Sequence, residues 1–575
     1  MKKVLSLILA VMFLFMTGIT AYADEQENIV ETIVVDITQE ELAQNDPADV
    51  IDGALDKARL TDMIDLTVNV PSGTYKLSRG LHIYSNTKLN LQPDTEFIRN
   101  FEDGSLLRTG HYKDINYAYD GYKNIVVTGG IWNNNYKQQS CAMRLMHCEN
   151  IVYRNFTVKN VYDSHHIEVG AARNVTFDGL TITGYKRSKN TSGEGIQIDP
   201  IHSEEHFKST IYMDDTPCSD ITVKNCTFDG LFAGVGTRSA VIGSYFYNMH
   251  IENNTFNNIS NKAISTFNYI NSTIKNNTIN NASVGIFVEL YPTKNLTSVL
   301  WMPFENASAA QIQTNVNTEI SGNTINVKKV SSYAQSCGIG VYGGVMSADT
   351  ANRTGLKSGS YLANNLRVND NTVNISTANS CGMEFKYVNN SSVYNNKING
   401  KVKASGSNCG MLFKNANKNK IFNNNVNGKL ASGIMLTSYS KNNELSWNKV
   451  RNAQYFGLNV NGTSTATIYV SNSFSGNGKG AIYLKDKTFT IPKIKGKLKV
   501  KRTKSKTTVS WKKVKNVKGY IIYRSAKKNG TYKEYKRVGA KKVSITVKGK
   551  KKYYYKVVPY RKYNKTTIYG KKTGA

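Results

Sequence analysis

Apolar and polar residues alternate with a period of two through the middle of the chain. Ten short phrases place an apolar residue at every second position: HIEVG, GIQID, GVGTR, GIFVE, GIGVY, GMEFK, GMLFK, GIMLT, GLNVN and AIYLK. This is the pattern of strands with one buried face. Each phrase follows another that also ends on an apolar residue, such as VKNCTF or IENNTF. The chain is therefore predicted to contain many short strands in a repeating unit.

Asparagine recurs in fixed phase with these apolar residues. The equivalent position of successive repeats is occupied by Phe156, Leu180, Cys226, Asn254, Asn277, Asn323, Asn371, Asn396, Asn424 and Asn448. Spacings of 23–28 residues suit one coil of a parallel β-solenoid, whereas spacings of 46 and 48 suit a coil with an insertion or two coils. Stacked coils would bring the side-chain amides into hydrogen-bonding register. A disordered Asn-rich tract is the alternative, and the strict phase of the apolar residues disfavours it.

These repeats resemble the right-handed parallel β-helix of the pectin-lyase-like superfamily. The upstream stretch TVNVPSGTYKLSRGLHIYSNTKLNLQPDTEFIRN is similar to the first coils of polygalacturonases, and the resemblance covers roughly residues 46–487. It implies an all-β chain, a right-handed single-stranded parallel β-helix followed by a small β-sandwich. The superfamily contains hydrolases, lyases and esterases as well as non-catalytic tailspikes and adhesins, so the fold alone does not give the activity.

The first residues resemble a secretory signal peptide. Lys2 and Lys3 precede an apolar run over residues 4–19, and Ala21 and Ala23 offer a small-residue cleavage site. No later stretch is long enough for a transmembrane helix, so a secreted, extracellular protein is expected. The predicted organisation is a signal peptide (1–23), an N-terminal cap with the first coils (24–123), the β-helix (124–487, with an insertion near 185–219), a linker (488–496) and a basic module (497–575).

The basic module carries most of the charge. From Lys493 to the end there are 30 Lys and Arg against one acid, which gives +29 of the total +33. The stretch resembles a fibronectin type III domain, with predicted core residues Trp511, Tyr520, Ile522, Tyr555 and Val557. Its charge predicts salt-sensitive binding to an anionic cell-wall or glycan polymer. The secretory signal and the lack of a nucleic-acid motif argue against nucleic acid, so we expect an association with the cell wall.

The seven cysteines do not form an obvious disulfide framework, because their number is odd. Cys337, Cys381 and Cys409 recur in one context, as CGIGV, CGMEF and CGMLF. We expect them to be small buried residues at equivalent positions of neighbouring coils. A disulfide between stacked coils is the less favoured alternative.

Titratable residues concentrate in one part of the β-helix. Residues 163–220 hold ten acids and four of the eight histidines, whereas the chain from Tyr291 onward holds eight acids and no histidine. Stacking the coils gives three columns, which read Arg144, Glu168, Gln197, Gly236; Met146, Gly170, Asp199, Arg238; and Cys141, His165, Glu194, Ala233. The first two columns are expected to face solvent. The concentration of charge favours a functional site over a solvated polar loop.

The predicted roles follow from these columns. Catalytic residues are expected to be Glu194, Asp199, Glu168 and His165. Sugar contacts are expected from His166, Gln197, Arg144, Arg238, His202 and His206. The Cα atoms of Glu168 and Asp199 should lie about 8 Å apart, which suits an inverting carboxylate pair. The insertion's His-Ser-Glu-Glu-His run could hold a metal, but its spacing matches no strong motif and no metal site is predicted.

The family comparison both supports and limits this assignment. In polygalacturonase-like glycosidases, catalytic carboxylates and a histidine stack just before the strand glycine, and the resemblance carries that column onto His165 and Glu194. The chain departs from the family where Asn-Thr-Asp has become SGEG, where the next coil reads LFAGVG without an acid, and where no Arg-x-Lys follows. Any catalysis would therefore use a different arrangement on the same surface.

Three functions remain open from the sequence. The first is a secreted protein that hydrolyses an extracellular polysaccharide with paired carboxylates and without a cofactor. The second is a lyase acting on a uronate-containing glycan, with calcium and with Arg238 or a histidine as the base. The third is a non-catalytic surface adhesin or glycan-binding solenoid.

Overall fold

The structure is a computed structural model, and it describes residues 31–112, 114–188, 193–202, 212–290, 300–301, 313–328, 336–354, 357–378, 380–401, 403, 408–549, 551–563 and 565–575. The predicted signal peptide and His206 lie outside these residues. The predicted fold class, a parallel β-helix followed by a small β-sandwich, is confirmed.

Short strands from successive coils stack into three parallel ladders. The first ladder contains Leu81–Ile83, Leu107–Thr109, Met143–Arg154, Ile167–Asp178, Glu194–Asp199, Ala233–Gly236, Lys262–Phe267, Val284–Glu289, Ser336–Tyr342, Ser380–Lys386, Cys409–Lys414, Ser432–Thr437, Phe456–Val460 and Gly480–Leu484. The second ladder contains Thr74–Leu77, Glu96–Arg99, Ile131–Asn133, Thr157–Tyr162, Thr181–Lys186, Thr227–Asp229, Thr255–Asn257, Thr278–Ala282, Thr324–Val327, Thr372–Ile375, Lys397–Gly400, Asn425–Gly428, Lys449–Arg451 and Ser473–Ser475.

The third ladder is continuous with the first, because the two long strands Met143–Arg154 and Ile167–Asp178 belong to both. Its other members are Glu31–Asp36, Ile64–Val70, Thr87–Leu91, Tyr122–Thr128, Ser219–Lys224, Phe246–Tyr247, His250–Glu252, Tyr269–Ile270, Thr273–Lys275, Glu319–Ser321, Arg367–Asn369, Ser392–Tyr394, Lys420–Phe422, Asn443–Ser446 and Ala466–Ile468. Shorter elements outside the ladders are Ala240–Val241, Leu300–Trp301, Gly344–Met346, the helix Ala348–Thr354, Gly359–Tyr361, Ala363–Asn364, Val388–Asn389 and Lys487–Phe489.

The apolar residues of the repeats form one continuous core inside the coils. Equivalent residues stack on one another: the rings of Phe228 and Phe256 lie 4.6 Å apart, and those of Phe385 and Phe413 lie 4.7 Å apart. Each coil therefore buries its apolar face only against its neighbours, as expected for a solenoid.

A buried asparagine ladder runs from Asn254 to Asn472. Each Nδ2 in the ladder donates to the Oδ1 of the next asparagine at 2.9–3.0 Å. Asn277 bonds directly to Asn323, although they are 46 residues apart in sequence, and Asn323 bonds directly to Asn371. The long spacings are therefore single coils with insertions.

The N-terminal end of the core is closed by helices Gln39–Gln44 and Pro47–Leu55, followed by a 3-10 turn, Asp56–Ala58. Asp46 caps the longer helix by accepting the N–H of Ala48, and Pro47 occupies its first position. This helix turns its apolar side, which includes the fully buried Ile51 and Leu55, onto the end of the core.

The basic module is a two-sheet sandwich. Its strands are Lys499–Arg502, Lys506–Ser510, Gly519–Ser525, Lys533–Gly539, Ser544–Lys548, Tyr554–Tyr563, Thr566–Tyr569 and Thr573–Gly574. All five predicted core residues are buried in it: Trp511, Tyr520, Ile522, Tyr555 and Val557. The assignment to the fibronectin type III class stays a prediction.

The sandwich is joined to the last coil by a shared strand pairing. Thr566–Tyr569 pairs in parallel with Ala466–Ile468, the last coil strand of the third ladder, and Ile568 enters the core of the β-helix. The segment predicted as a linker, residues 488–496, contains Ile494, which is buried in the sandwich core. The basic module therefore also covers the C-terminal end of the solenoid.

All seven cysteines are buried free thiols. Cys337 pairs in register with Cys381, and both lie with Cys409 in a small apolar cluster outside the main core. The equivalent positions predicted for these residues are confirmed, and the disulfide alternative is not realised.

Candidate functional site

Strand register confirms the predicted stacking of the charged coils. Along the first ladder the paired residues are Arg144 with Glu168, Glu168 with Gln197, Gln197 with Gly236, Gly170 with Asp199, and Glu194 with Ala233. The three predicted columns therefore lie side by side on one surface of the ladder.

Gly195 explains why these side chains point outward. A Cβ at Gly195 would lie 2.8 Å from the ring of Phe228 and 3.0 Å from Leu231, so this position faces a core that leaves room only for glycine. Glu194, just before it, faces the other way, and a Cβ at Gly236 would lie 2.9 Å from its side chain. The carboxylates therefore project from the outer surface of the first ladder.

The expectation that this outer surface faces solvent is wrong. Asp199 is fully buried, and Glu168 and Gln197 are each 2 % exposed. The insertion contributes to the cover, because Met213 packs against a small apolar cluster outside the core that includes Met146 and Ala171. Met146 occupies one of the two columns predicted to face solvent, so the insertion covers at least this part of the outer surface.

Glu168 is bound to Arg144. The Nε of Arg144 donates to Oε2 of Glu168 at 2.6 Å, and the thiol of Cys141 lies 3.5 Å from the same oxygen. Burial opposes the charge on Arg144, but the Glu168 carboxylate holds the pKa of Arg144 above its ordinary value. A carboxylate held in this way is poorly placed for the proton transfer predicted for Glu168.

Glu194 pairs with His165. Its Oε2 lies 2.9 Å from Nδ1 of His165, and its backbone N–H lies within 3.1 Å of the same nitrogen. Because one ring nitrogen cannot donate and accept at the same time, these two contacts are alternatives. Burial would raise the pKa of Glu194, but the hydrogen bond and charge of His165, together with Arg238, bring it below the ordinary value.

Asp199 lies under a turn of the next coil. Its Oδ1 accepts the backbone N–H groups of Arg238 at 2.8 Å and Ser239 at 3.1 Å, and its Oδ2 accepts from Nε2 of Gln197 at 2.6 Å. Burial raises the pKa of Asp199 to about 6 in spite of these bonds, and the charge of Glu194 adds to the rise. Asp199 therefore changes charge near neutral pH.

Asp199→Asn is expected to change how stability depends on pH. The pKa of Asp199 rises from 3.8 to about 6 on folding, so the folded state binds more protons than the unfolded state between those values. The free energy of unfolding should then fall by about 3 kcal/mol as pH rises through this window. The contribution is complete below the unfolded pKa and is lost above the folded one. Denaturant unfolding over a pH series measures the difference between the parent and the variant.

The matched control is Asp229→Asn, which removes a half-buried carboxylate from the second ladder. A parent-minus-variant difference for Asp199→Asn that stays constant from acid to neutral pH would contradict the assignment.

Two of the predicted sugar contacts are bonded elsewhere within the protein, and a third lies outside the described residues. His166 is fully buried; one of its ring nitrogens, Nε2, bonds the carbonyl oxygen of Thr183, and burial lowers its pKa to about 4. His202 bonds Asp215 within the insertion. His206 lies outside the described residues. His166 is therefore corrected to a buried residue: it lies just before the strand Ile167–Asp178, in the register of Gly195, whose position faces the core.

The column that contains Arg144, Glu168 and Gln197 has two further members, which the sequence prediction did not include. Arg108 pairs in register with Arg144, and His82 pairs with Arg108. Aligning LHI and LRT with MRL would have found them, because all three place a basic residue between two buried residues.

A second polar cluster was also missed. The hydroxyl of Tyr342 donates to Oε2 of Glu384 at 2.7 Å, and Nζ of Lys386 lies 2.9 Å from Oε1 of Glu384. The alternation in GMEFK places Glu384 on the same outer surface, several coils along the helix. It was overlooked because acids are sparse in that part of the sequence.

The fold and this polar layer define a parallel β-helix with a buried charged cluster on one ladder. The predicted parallel β-helix is confirmed by the strand pairings. In the part of the chain that the structure describes, no helix is long and apolar enough to cross a membrane.

No family model matches the chain. Among curated proteins it is similar to plasmin and fibronectin-binding protein A of Streptococcus pneumoniae (strain ATCC BAA-255 / R6), with 24% identity over 249 residues, which is 36% of this chain and 34% of that relative. The match therefore spans about a third of the relative's length.

Three solved structures are also similar. The Streptococcus pneumoniae surface protein and adhesin PfbA has 16% identity, covers 77% of this chain and 96% of its own, and has a TM-score of 0.46. The A-module of the Azotobacter vinelandii mannuronan C-5 epimerase AlgE4 has 14% identity, coverage of 78% and 96%, and a TM-score of 0.38. A tailspike protein of E. coli bacteriophage HK620 has 12% identity, coverage of 92% and 88%, and a TM-score of 0.44.

Proposed function

We propose that the chain is an extracellular β-helix protein that hydrolyses a polysaccharide, with Asp199 as the general acid and Glu194 as the ionised carboxylate. One arrangement carries the proposal: on one ladder surface Glu194 lies 2.9 Å from His165, and Asp199 is fully buried beneath the N–H groups of Arg238 and Ser239. Pairing with His165 lowers the pKa of Glu194, whereas burial raises that of Asp199. Such a pair holds one proton donor and one carboxylate at the same pH, which glycosidic cleavage requires.

The neighbouring residues support these roles. Burial keeps Asp199 protonated up to about pH 6, and Gln197 fixes the orientation of its carboxyl group. His165 and the nearby charge of Arg238 keep Glu194 ionised. Glu168 is assigned to positioning Arg144 instead of to catalysis. The hydrolytic proposal calls for no metal or other cofactor.

Activity is expected to fall on both sides of a mildly acidic optimum. As pH rises through about 6, Asp199 loses its proton and kcat/KM should fall. At low pH the protonation of Glu194 should lower it again, at a pH below the ordinary glutamate value of 4.5. The profile is measured as new reducing ends released from a panel of pectins, other uronates, cell walls and neutral glycans.

Asp199→Asn and Glu194→Gln test the two roles in the full chain. Each should lower kcat by about a hundredfold or more, since each removes a group that moves a proton or carries charge in the reaction. Glu149→Gln is the control, because Glu149 forms a surface ion pair with Arg173 on the third ladder. Turnover that persists in both site variants would contradict the proposed hydrolysis by this pair. A product with the ultraviolet absorbance of an unsaturated uronate would instead indicate a lyase.

A non-catalytic surface adhesin is the second candidate. It is favoured by the burial of the candidate carboxylates, each of which is already bonded within the protein. The curated relative is named as a plasmin- and fibronectin-binding protein. Retention of one glycan by the parent and by both site variants, with no new reducing ends, would favour this candidate.

The basic module is proposed to hold the protein on an anionic cell-wall or glycan polymer. The guanidinium of Arg524 lies between the rings of Tyr535 and Tyr553, 4.1 and 4.5 Å from their centroids. Such stacking arranges cations and aromatic faces on one surface, where anionic sugars bind through charge and ring contacts. This retention, with secretion, would give a cell-wall-associated location.

A further inference from the structure

An aromatic column lies on the outer face of the third ladder near its C-terminal end. Strand register aligns Tyr394, Phe422, Ser446, Tyr469 and Tyr569 along five successive strands. The rings of Tyr394 and Phe422 stack 4.8 Å apart, and those of Tyr469 and Tyr569 stack 5.6 Å apart. All four rings are half-buried or exposed, so the column is open to solvent along its edge.

Ser446 interrupts this column. It pairs in register with Phe422, and the N–H of Tyr469 donates to the carbonyl oxygen of Leu445, which places Tyr469 beside Ser446 on the next strand. Phe422 and Tyr469 are therefore two strand spacings apart, about 9.6 Å. We call the space between their rings, with the half-buried Ser446 at its floor, the Ser446 slot.

The width of the Ser446 slot matches one flat ring. A ring placed midway would lie about 4.8 Å from Phe422 and from Tyr469. This is the separation at which Tyr394 and Phe422 already stack. An inserted ring would therefore complete a continuous stack without any movement of the strands.

Trp447 stands at one edge of the slot in an unfavourable backbone conformation. It directly follows Ser446, its side chain is 66 % exposed, and its φ is 59°. The equivalent residues of the two preceding coils are Asn395 and Asn423, with φ of 58° and 56°. Asparagine tolerates this left-handed conformation, whereas a bulky residue rarely adopts it. Backbone strain of this kind persists chiefly where a side chain has a function.

Polar groups lie at the opposite edge of the slot. Lys420 and Glu444 pair in register and are exposed, each two residues before a member of the aromatic column. They offer a donor and an acceptor beside two aromatic faces. A pyranose ring has this combination of surfaces, because its faces carry C–H groups and its edge carries hydroxyls. An aromatic side chain of a protein partner would fill the slot but would leave these two groups without a counterpart.

The aromatic column continues onto the basic module. Tyr569 belongs to the module and pairs with Tyr560 of the neighbouring strand, with ring centroids 6.4 Å apart. On the same sheet, Nζ of Lys572 lies 4.7 Å from the centroid of the Tyr523 ring. A glycan chain held in the slot can therefore extend onto the surface that is proposed to bind a glycan polymer.

We infer that the Ser446 slot binds one pyranose ring of a glycan, stacked between Phe422 and Tyr469 and flanked by Trp447. The inference rests on the proposed retention role in taking a glycan as the ligand. It adds a ring-binding site on the solenoid that depends on shape and stacking, separate from the Glu194–Asp199 pair and from the charge of the basic module.

Calorimetric titration of the full chain with hexagalacturonate, hyaluronan hexasaccharide and chitohexaose tests this inference. The titrations are run at about 1 M sodium chloride, where charge contacts with the basic module are screened but apolar stacking is not. At least one hexasaccharide should bind the parent. Ser446→Tyr should weaken that binding by about tenfold or more, because the added ring occupies the slot. Its thermal unfolding midpoint should stay level or rise, since the added ring completes the stack.

Three further variants complete the test. Ser446→Ala leaves the slot open and should bind as the parent does. Ser321→Tyr is the matched control, because Ser321 lies in the same outward column next to Asn369, outside the aromatic part. Trp447→Asn should weaken binding and raise the unfolding midpoint, because it restores the residue type that suits the left-handed position.

Several results would overturn the inference. It fails if no hexasaccharide binds the parent, or if Ser446→Tyr binds as tightly as Ser321→Tyr. Binding of N-acetyltyrosinamide without binding of any sugar would assign the slot to an aromatic side chain of a protein partner instead. Polymer retained at low salt equally by the parent and Ser446→Tyr, with no hexasaccharide bound at about 1 M salt, would leave the basic module as the only binding surface.

The same titration with Asp199→Asn separates this inference from the proposed hydrolysis. Sugar binding that persists in this variant and is lost in Ser446→Tyr, while neither the parent nor the variant hydrolyses a glycan, would support the slot and contradict the hydrolase. Hydrolysis by the parent without binding that responds to Ser446→Tyr would do the reverse.

Discussion

A chain that ends at Phe489 is expected to aggregate or to unfold at a markedly lower temperature than the full protein. Removing the basic module exposes the edge of Ala466–Ile468 and uncovers the core that Ile568 now closes. An unpaired parallel edge is a template for association with other chains, and the buried isoleucine alone stabilises the fold by about 1.5–3 kcal/mol. Light scattering coupled to size exclusion and thermal unfolding measure the two effects.

A point variant distinguishes the effect of uncovering the core from the effect of losing charge. Truncation alone cannot do so, because it also removes a net charge of +29. Ile568→Ala should lower the free energy of unfolding by about 2–5 kcal/mol, since this side chain is 1 % exposed. Thr573→Ala, at a half-buried position of the last strand, is the control and should be close to neutral. A truncated chain that stays monomeric with an unchanged transition would show that the module is only an attached binding domain.

Asn396→Ala is expected to destabilise the β-helix by about 4 kcal/mol. Oδ1 of Asn396 accepts both the N–H and the Nδ2 of Asn371, and its own Nδ2 donates to Val368, Tyr394 and Asn424. Alanine leaves buried backbone groups in two coils without partners, and each such group costs about 1–3 kcal/mol. Denaturant unfolding followed by circular dichroism measures the loss.

Asn399→Ala provides the comparison within the same coil. Asn399 is half-buried on the outside of the second ladder, and its amide donates to the side chain of Asn374. Its loss should cost about 1 kcal/mol or less. Equal effects of the two substitutions would mean that the buried ladder contributes no more than an outer amide pair.

The repeating architecture could be predicted because the residues of each coil carry the same short pattern of apolar and asparagine positions. The alternating phrases and the phase of the asparagines fix which residues point inward, and stacking then puts Arg144, Glu168 and Gln197 in one column. The same local pattern predicted the core residues of the basic module, including Trp511 and Tyr520. Register follows from such a pattern, because a slip by one residue would turn every apolar side chain outward.

The candidate site was only partly predictable. The sequence grouped Glu194, Asp199 and His165 correctly on one surface, but it assigned Glu168 to acid–base chemistry. The structure binds Glu168 to Arg144, one coil earlier, and leaves Asp199 under the backbone of Arg238. Strand periodicity fixes which face a side chain takes, but its partner depends on rotamers that only the folded neighbours select.

The sequence by itself determined the solenoid, which residues of its strands face the core, and the core residues of the basic C-terminal module, since each depends on residues close together in the chain. Only the tertiary structure decided that the charged surface is buried, that Arg108 and Arg144 share a cavity, and that the basic module covers the end of the β-helix. These features join insertions and loops to the strands of neighbouring coils, or the C-terminal module to the last coil. Such contacts come from the packing of insertions and ends onto the stack, and a repeating pattern carries no information about that packing.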